Sequence, residues 1–269
     1  MAAEGEGRPG DAPDVPPREG PGPAAEPAIR IEDLHKSFGR REVLRGFSLD
    51  VPRHELLAII GGSGSGKSVL LRHLAGLLRP DRGRILLEGV DVARADREGL
   101  AEVHRRIGFL FQEGGLLNSL SLYENIALPL REHGSLAEDE IRSRVLDRLG
   151  RVGISEAASK APSELSGGMR KRAGLARALV EPRSFLFLDE PTSALDPTTA
   201  ASIRDLIGEV HSQSDATTIA VTHDLALAKS IADRVVFLQD GQVRREGTYA
   251  ELEESDDPVV RGFFDAGKP

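Results

Sequence analysis

The chain has no cysteine and no tryptophan, and only two tyrosines and nine phenylalanines among its 269 residues. Without cysteine it can form no disulfide and no thiolate metal site, which fits a reducing compartment without requiring one. Long apolar runs are missing too: stretches such as Leu56 to Ile60 and Phe185 to Leu188 fall far short of the ~20 residues that cross a bilayer as a helix. A chain of this kind that works at a membrane works from one side. Nor is positive charge in surplus. With 43 acids against 35 lysines and arginines the net charge is −8, and bulk electrostatics oppose a nucleic-acid partner.

What is present divides the chain unevenly. Residues 1–28 are dense in Pro, Gly, Ala and acids, with Val15 as an isolated aliphatic. Such a composition buries too little apolar surface to offset ordering, so a disordered tail is expected there. It has neither the basic start and apolar middle of a signal peptide nor the acid-poor character of a transit peptide. Residues 29–265 read as one folded domain, with 266–269 as a short C-terminal end.

Ile29 to Phe38 and Val43 to Val51 alternate apolar and polar residues around a Gly-Arg-Arg turn, the pattern of a half-exposed hairpin. Strands are expected at Leu56 to Ile60, Gly83 to Val90, Ile107 to Phe111, Phe185 to Asp189, Thr217 to Thr222 and Arg234 to Leu238. Helices are expected at Ser68 to Leu78, Leu136 to Leu149, Gly168 to Val180, Thr198 to Val210 and Leu225 to Ala232. Strands alternating with helices imply an α/β fold with a mainly parallel sheet core. An antiparallel β subdomain should precede it, and a helical subdomain at about 113–180 should be inserted into it.

Gly61 to Ser68 reads GGSGSGKS and fits G-x-x-x-x-G-K-[ST]. It follows a buried strand and opens a helix, the context the motif requires; a chance match occurs in roughly one sequence in a hundred of this length. Backbone N–H groups and the positive end of the helix dipole then converge on phosphates. Lys67 adds a point charge near the β and γ phosphates, and the Ser68 hydroxyl can ligate Mg²⁺. In FLFLDE, Phe185 to Glu190, two acids end a buried strand. Asp189 is placed to hold Mg²⁺ through water, and Glu190 to orient or deprotonate an attacking water.

Leu165 to Met169 reads LSGGM before a basic helix, with Ser166 as a good N-cap and Gly167 and Gly168 allowing close approach of another backbone. Here the sequence resembles the ATP-binding-cassette ATPases, P-loop NTPases of ABC type, in which LSGGQ reads the γ-phosphate held by a partner subunit. Met169 stands where most of that family has Gln. The resemblance covers about residues 29–265. It implies that Gln112 senses Mg²⁺ and water and contacts the membrane partner, that Ser193 to Asp196 crosses a dimer interface, and that His223 contacts the γ-phosphate. Phe38 takes the place of the aromatic that stacks on adenine. It thus implies Glu190, His223, Gln112 and Lys67 as the catalytic set, and Ser68, Gln112 and Asp189 around Mg²⁺. ATP contacts are implied at Phe38, Gly61, Gly62, Ser63, Gly64, Ser65, Gly66, Lys67, Ser68 and Val69, and from a second copy at Ser166, Gly167 and Gly168.

A narrower resemblance lies around the motifs. Leu110 to His133, Ser163 to Leu179 and DPVVRGFF (Asp257 to Phe264) are similar to the ATPase of Mla-type, MCE-associated lipid transporters, where the signature also ends in Met. That resemblance implies a homodimer on the cytoplasmic face of the inner membrane, integral permease subunits, an MCE-type accessory protein and phospholipid cargo. The alternatives are the ATPase of an importer for amino acids or another small solute, which shares every catalytic motif, and a soluble ABC ATPase that serves no transporter. Leu116, Leu117 and Tyr123 are either permease contacts or core.

Overall fold

The computed structural model describes residues 26–134 and 136–267. Residues 1–25 of the expected tail and 268–269 of the C-terminal end therefore lie outside the described residues. Ala28, at the end of that expected tail, is buried, and its carbonyl accepts a hydrogen bond from the Glu88 N–H at 2.8 Å.

Ten strands are described: β1 (Ile29–Phe38), β2 (Arg41–Val51), β3 (Leu56–Ile60), β4 (Arg82–Leu87), β5 (Val90–Asp91), β6 (Ile107–Leu110), β7 (Phe185–Asp189), β8 (Thr217–Thr222), β9 (Arg234–Gln239) and β10 (Gln242–Gly247). The helices are α1 (Lys67–Leu74), α2 (Arg97–Arg105), α3 (Leu122–His133), α4 (Glu138–Arg151), α5 (Gly167–Ala178), α6 (Pro197–Ser212), α7 (Leu225–Ile231), α8 (Tyr249–Glu253) and α9 (Pro258–Ala266). A four-stranded antiparallel sheet has the order β2-β1-β4-β5. A second sheet has the order β10-β9-β3-β8-β7-β6, parallel throughout except for β10 at its edge.

Two sequence expectations change in detail. The strand expected at Gly83 to Val90 is two strands, β4 and β5, because Glu88 and Gly89 take φ of 45° and 83° and turn the chain back on itself. Positive φ at both central residues is the conformation of a tight hairpin. The helix expected to reach Leu78 stops at Leu74. Gly76 has φ 68°, its N–H donates to His73 O, and Leu77 N–H donates to Arg72 O, both at 2.9 Å. This Schellman closure satisfies the last carbonyls and ends the helix at the glycine.

The parallel strands are apolar without interruption because both faces of the sheet are covered. Their side chains still alternate: Leu57, Ile59, Phe185, Phe187, Ile219 and Val221 pack toward the antiparallel sheet, α1 and α2. Leu186, Leu188 and Ala220 pack with the apolar faces of α3 to α6, while Ala58 and Ile60 face α7 to α9. Burying each such Leu, Ile or Phe contributes roughly 1.5–3 kcal/mol. Parallel strands place the ends of β3, β7 and β8 on one side, where ligands of open α/β sheets collect.

Candidate active site

The Gly61 to Ser68 loop leaves β3 and enters α1. At Gly61, with φ 154°, a Cβ would lie 2.4 Å from Leu238 O, so only glycine lets the loop pass the end of β9. The loop is also pressed against β2: a Cβ on Gly66 would meet Val43 O at 3.1 Å, and Arg41 donates to Gly64 O at 3.2 Å. Helix α1 has no side-chain cap, whereas α5, α6 and α7 are capped by Ser166, Asp196 and Asp224, and it has no acid in its first turn. Its leading N–H groups have no acceptor within the helix, and the dipole favours an anion there. The Ser65 hydroxyl beside them is buried without a hydrogen-bond partner. Uncapped N–H groups and an orphaned hydroxyl are what a phosphate would satisfy.

Lys67 is buried, with Nζ donating to Gly61 O at 2.7 Å and Gly62 O at 3.0 Å. Burial pushes its ammonium below the usual lysine value, while Glu190 and Asp189 oppose that shift. Ser68 Oγ donates to Asp189 Oδ1 at 2.8 Å. Asp189 is only 2% exposed, and desolvation raises its carboxyl above the ordinary value, against the Ser68 hydrogen bond. One hydroxyl and one carboxylate make a suitable donor pair for Mg²⁺, which keeps most of its shell for water and phosphate oxygens. Among the described residues no cluster of three His, Cys, Asp or Glu forms a closed metal cage.

Glu190 follows Asp189 with φ 52°, a left-handed conformation that costs a non-glycine residue roughly 1–3 kcal/mol. It is held there from both sides. Its N–H donates to Val221 O at 2.9 Å, and its carbonyl accepts from Lys171 Nζ at 3.0 Å. The strained turn aims the carboxylate at β8, where Oε2 accepts from Thr222 Oγ1 at 3.2 Å and lies 2.9 Å from His223 Nδ1. Glu190 is 8% exposed, whereas the His223 side chain is 62% exposed. A buried base held by an accessible imidazole can take a proton from a water and keep its orientation.

The remaining expected residues are more dispersed. Gln112 is exposed just beyond β6, next to β7 in the sheet, and its side chain makes no hydrogen bond among the described residues. Phe38 is 48% exposed at the end of β1, with Lys36 Nζ 5.6 Å from its ring centre; its strand partner Arg41 ties this corner to the phosphate loop. Ser63 and Gly62 are exposed on the loop. Ser166 Oγ caps α5 by accepting from Met169 N at 3.2 Å, Gly167 and Gly168 form the first turn, and Met169 packs against the helical core. Leu116 and Tyr123 also pack against that core, while Leu117 is 47% exposed.

Several residues had no motif to announce them. Lys171, buried in α5, also donates to Ser193 O at 2.8 Å and to the Ser193 hydroxyl, joining the signature helix to the turn after β7. Arg41 falls in the same category, and Thr222 stands out only as the neighbour of His223. Asn125 is fully buried: its Oδ1 accepts from Leu117 N at 2.7 Å, and its Nδ2 donates to the carbonyls of Leu117, Leu120 and Ser121. It fixes the segment that follows Gln112. The Tyr-Glu-Asn run lay within the quoted Leu110 to His133 segment, but nothing in it distinguishes a core asparagine from a surface one.

A phosphate-binding loop on a parallel sheet, flanked by an antiparallel sheet and a helical layer, defines a P-loop nucleoside triphosphatase. A family model described as ABC transporter matches residues 44–193. The chain belongs to the ABC transporter family, whose ATPase domain hydrolyses ATP. It is 44% identical over 237 residues to a probable ribonucleotide transport ATP-binding protein, mkl, of Mycobacterium leprae, covering 88% of this chain and 68% of that protein. It is 41% identical to the methionine import ATP-binding protein MetN of Brucella abortus, covering 85% of this chain and 62% of MetN. The chain thus spans about two thirds of the length of these relatives. The dimeric post-hydrolysis structure of the ATP-binding cassette MJ0796 bound to ADP and Pi matches with a TM-score of 0.77 at 31% identity, covering 82% of this chain and 98% of that one. The cbiO1 structure from Clostridium perfringens, part of the complex cbiONQ, matches with a TM-score of 0.72 at 32% identity, covering 88% of this chain and 94% of that one. No helix of the described residues is long and apolar enough to cross a membrane.

Proposed function

We propose that this chain is the energy-coupling subunit of a transporter, working as a homodimer that sandwiches two ATP molecules against integral permease subunits on the cytoplasmic face of the membrane. The observation that carries this reading is the paired arrangement at the strand ends: Ser68 with Asp189, and Glu190 with His223. The unit that hydrolyses ATP is residues 29–265, with the helical part at about 113–180 turned to the permease through the segment after Gln112.

In this reading the Gly61 to Val69 stretch and Lys67 hold the phosphates, Phe38 stacks on the base, and Ser166 to Gly168 of a second copy close the site. Ser68, Asp189 and Gln112 would hold Mg²⁺, which when bound would neutralise charge on the phosphate oxygens. Glu190 orients the attacking water and accepts its proton, and His223 keeps that carboxylate in place. The γ-phosphate favours the closed pair by binding it more tightly than the open one, so its loss reopens the pair.

For cargo we favour phospholipid moved between the inner membrane and an outer envelope layer, with an MCE-type accessory protein. The support is the similarity of Leu110 to His133 and DPVVRGFF to Mla-type ATPases, together with Met169 at the end of the signature. The second reading, import of an amino acid or another small solute, is favoured by the 41% identity to MetN. Purifying the assembled membrane complex and identifying its co-purifying chains and bound lipid tests the choice. Recovery of an MCE-domain protein with phospholipid is expected; an amino-acid permease without lipid overturns the cargo assignment and leaves the ATPase standing.

A further inference from the structure

A cavity of about 700 Å³ opens at the amino-terminal edge of the parallel sheet, the end opposite the phosphate loop. His54 precedes β3, Ser184 precedes β7 and Thr217 begins β8, so all three belong to that edge. Pro182 and Val210 contribute apolar atoms to the cavity lining, with Leu179 buried behind them. The ATPase reading uses none of it.

Four of its lining residues can carry positive charge, and three of those are already engaged. Arg53 pairs with Glu88, Arg183 pairs with Glu181, and His54 Nδ1 lies 2.7 Å from Asp215 O. Arg148, on α4, differs from them: among the described residues its Nη1 is buried with no hydrogen-bond partner, and no carboxylate pairs with it. The nearest acids do not compensate. Glu209, one of the two whose fields reach Arg148, is committed to Arg151 at 2.5 Å and to Gln213 at 3.1 Å; Asp147, the other, makes no hydrogen bond to it. Burial accordingly pulls the Arg148 guanidinium below its usual value.

A buried guanidinium N–H without an acceptor costs about 1–3 kcal/mol or more, because its hydration is lost and not replaced. Such a group persists where something outside the chain supplies the acceptor. Guanidinium forks match carboxylate and phosphate oxygens, and Pro182 and Val210 suit a compact hydrocarbon body. The geometry points to a second ligand site here, taking a small organic anion whose carboxylate or phosphate group is received by Arg148. Gln213 and Ser214, just beyond α6, also line the cavity, with Gln213 Nε2 donating to Glu209 Oε1 and Ser214 Oγ to His211 O. An anion held between α4 and α6 adds to the Arg151–Glu209 ion pair a second tie between the helical layer and the sheet.

The test is thermal unfolding of the full chain with a saturating non-hydrolysable ATP analogue, which keeps the phosphate loop filled through the γ position. The probes are hexanoate, inorganic phosphate, and hexanol as the uncharged control, at constant ionic strength. A saturable rise of about 2–4 °C at roughly five times Kd is expected with at least one anion and not with hexanol. Hexanoate acting alone identifies a carboxylate on an apolar body, and phosphate acting alone a phosphate group. Arg148→Met keeps the packed stem, so it should remove the anion-dependent rise, leave affinity for the ATP analogue unchanged and be no less stable than the parent without anion. Should that variant fail to fold, Arg148→Gln carries the same comparison. A rise that persists in the folded variant, or the absence of a saturable rise with either anion up to about 10 mM, a binding energy under roughly 3 kcal/mol, overturns the proposal.

Discussion

His223 Nδ1 lies 2.9 Å from Glu190 Oε2, although the two residues leave different strands and Glu190 must take a left-handed conformation to make the contact. The pair joins an almost fully buried carboxylate to a mostly exposed imidazole, and the proposed chemistry rests on it. Glu190→Gln should keep ATP affinity and lower the hydrolysis rate by about 10²–10⁴-fold, the usual worth of a general base. Steady-state phosphate release beside equilibrium ATP binding checks this. Hydrolysis at the parent rate would remove Glu190 from the role.

Asp189 carries a raised pKa because it is desolvated, so ionising it weakens the fold without nucleotide. Below the ordinary value of 3.8 both states hold the proton and nothing is lost; the penalty builds as pH rises from there towards the higher folded value and is complete above it. Asp189→Asn should therefore raise the unfolding midpoint of the nucleotide-free chain at neutral pH, with the advantage shrinking as the solution is acidified. The same variant should lose Mg²⁺-dependent hydrolysis. A stability difference that does not change with pH would mean that the buried charge is not its source.

Ser166 opens α5, and its Oγ accepts from Met169 N. Ser166→Arg places a long cation where a second copy's triphosphate should approach. It should leave ATP binding to the single chain intact and prevent the ATP-dependent dimer in the Glu190→Gln background, read by size-exclusion chromatography with and without Mg·ATP. An unchanged dimer would count against the shared site.

Gly174 on α5 faces the loop after Gln112, and a Cβ there would lie 2.5 Å from Gly114 O and 2.6 Å from Gly114 Cα. Backbone cannot yield as a side-chain tip does. Gly174→Ala should destabilise the chain by about 1–3 kcal/mol despite the better helix propensity of alanine. Chemical denaturation measures this, and a stabilised variant would show that the two segments move apart freely.

Much of the site is legible from local pattern because each motif is short and carries its own context. GGSGSGKS lies between a buried strand and an amphipathic helix, FLFLDE ends a fully apolar strand, and Ser166 caps α5. β7 and β8 begin and end at the residues their composition suggests, since uninterrupted apolar runs bounded by polar residues have few alternatives. The edges were less legible. The Glu88–Gly89 turn splits one expected strand in two, and Gln242 to Gly247, with a single half-buried valine, gives no apolar signal because an edge strand needs little burial.

The residues alone supply the chemistry available: a phosphate loop, an acidic strand end and a glycine-rich helix start. Tertiary structure decided which of these groups meet. Ser68 and Asp189 lie 121 positions apart and touch because strand order sets β3 and β7 on either side of β8. Lys171 and Asn125 are ordinary polar residues in the sequence; only packing makes one the anchor of the Glu190 turn and the other the clamp on the segment after Gln112. Periodicity records whether a side chain faces a core. It does not record which distant backbone carbonyl waits there, and that partner is fixed only when the whole sheet has formed.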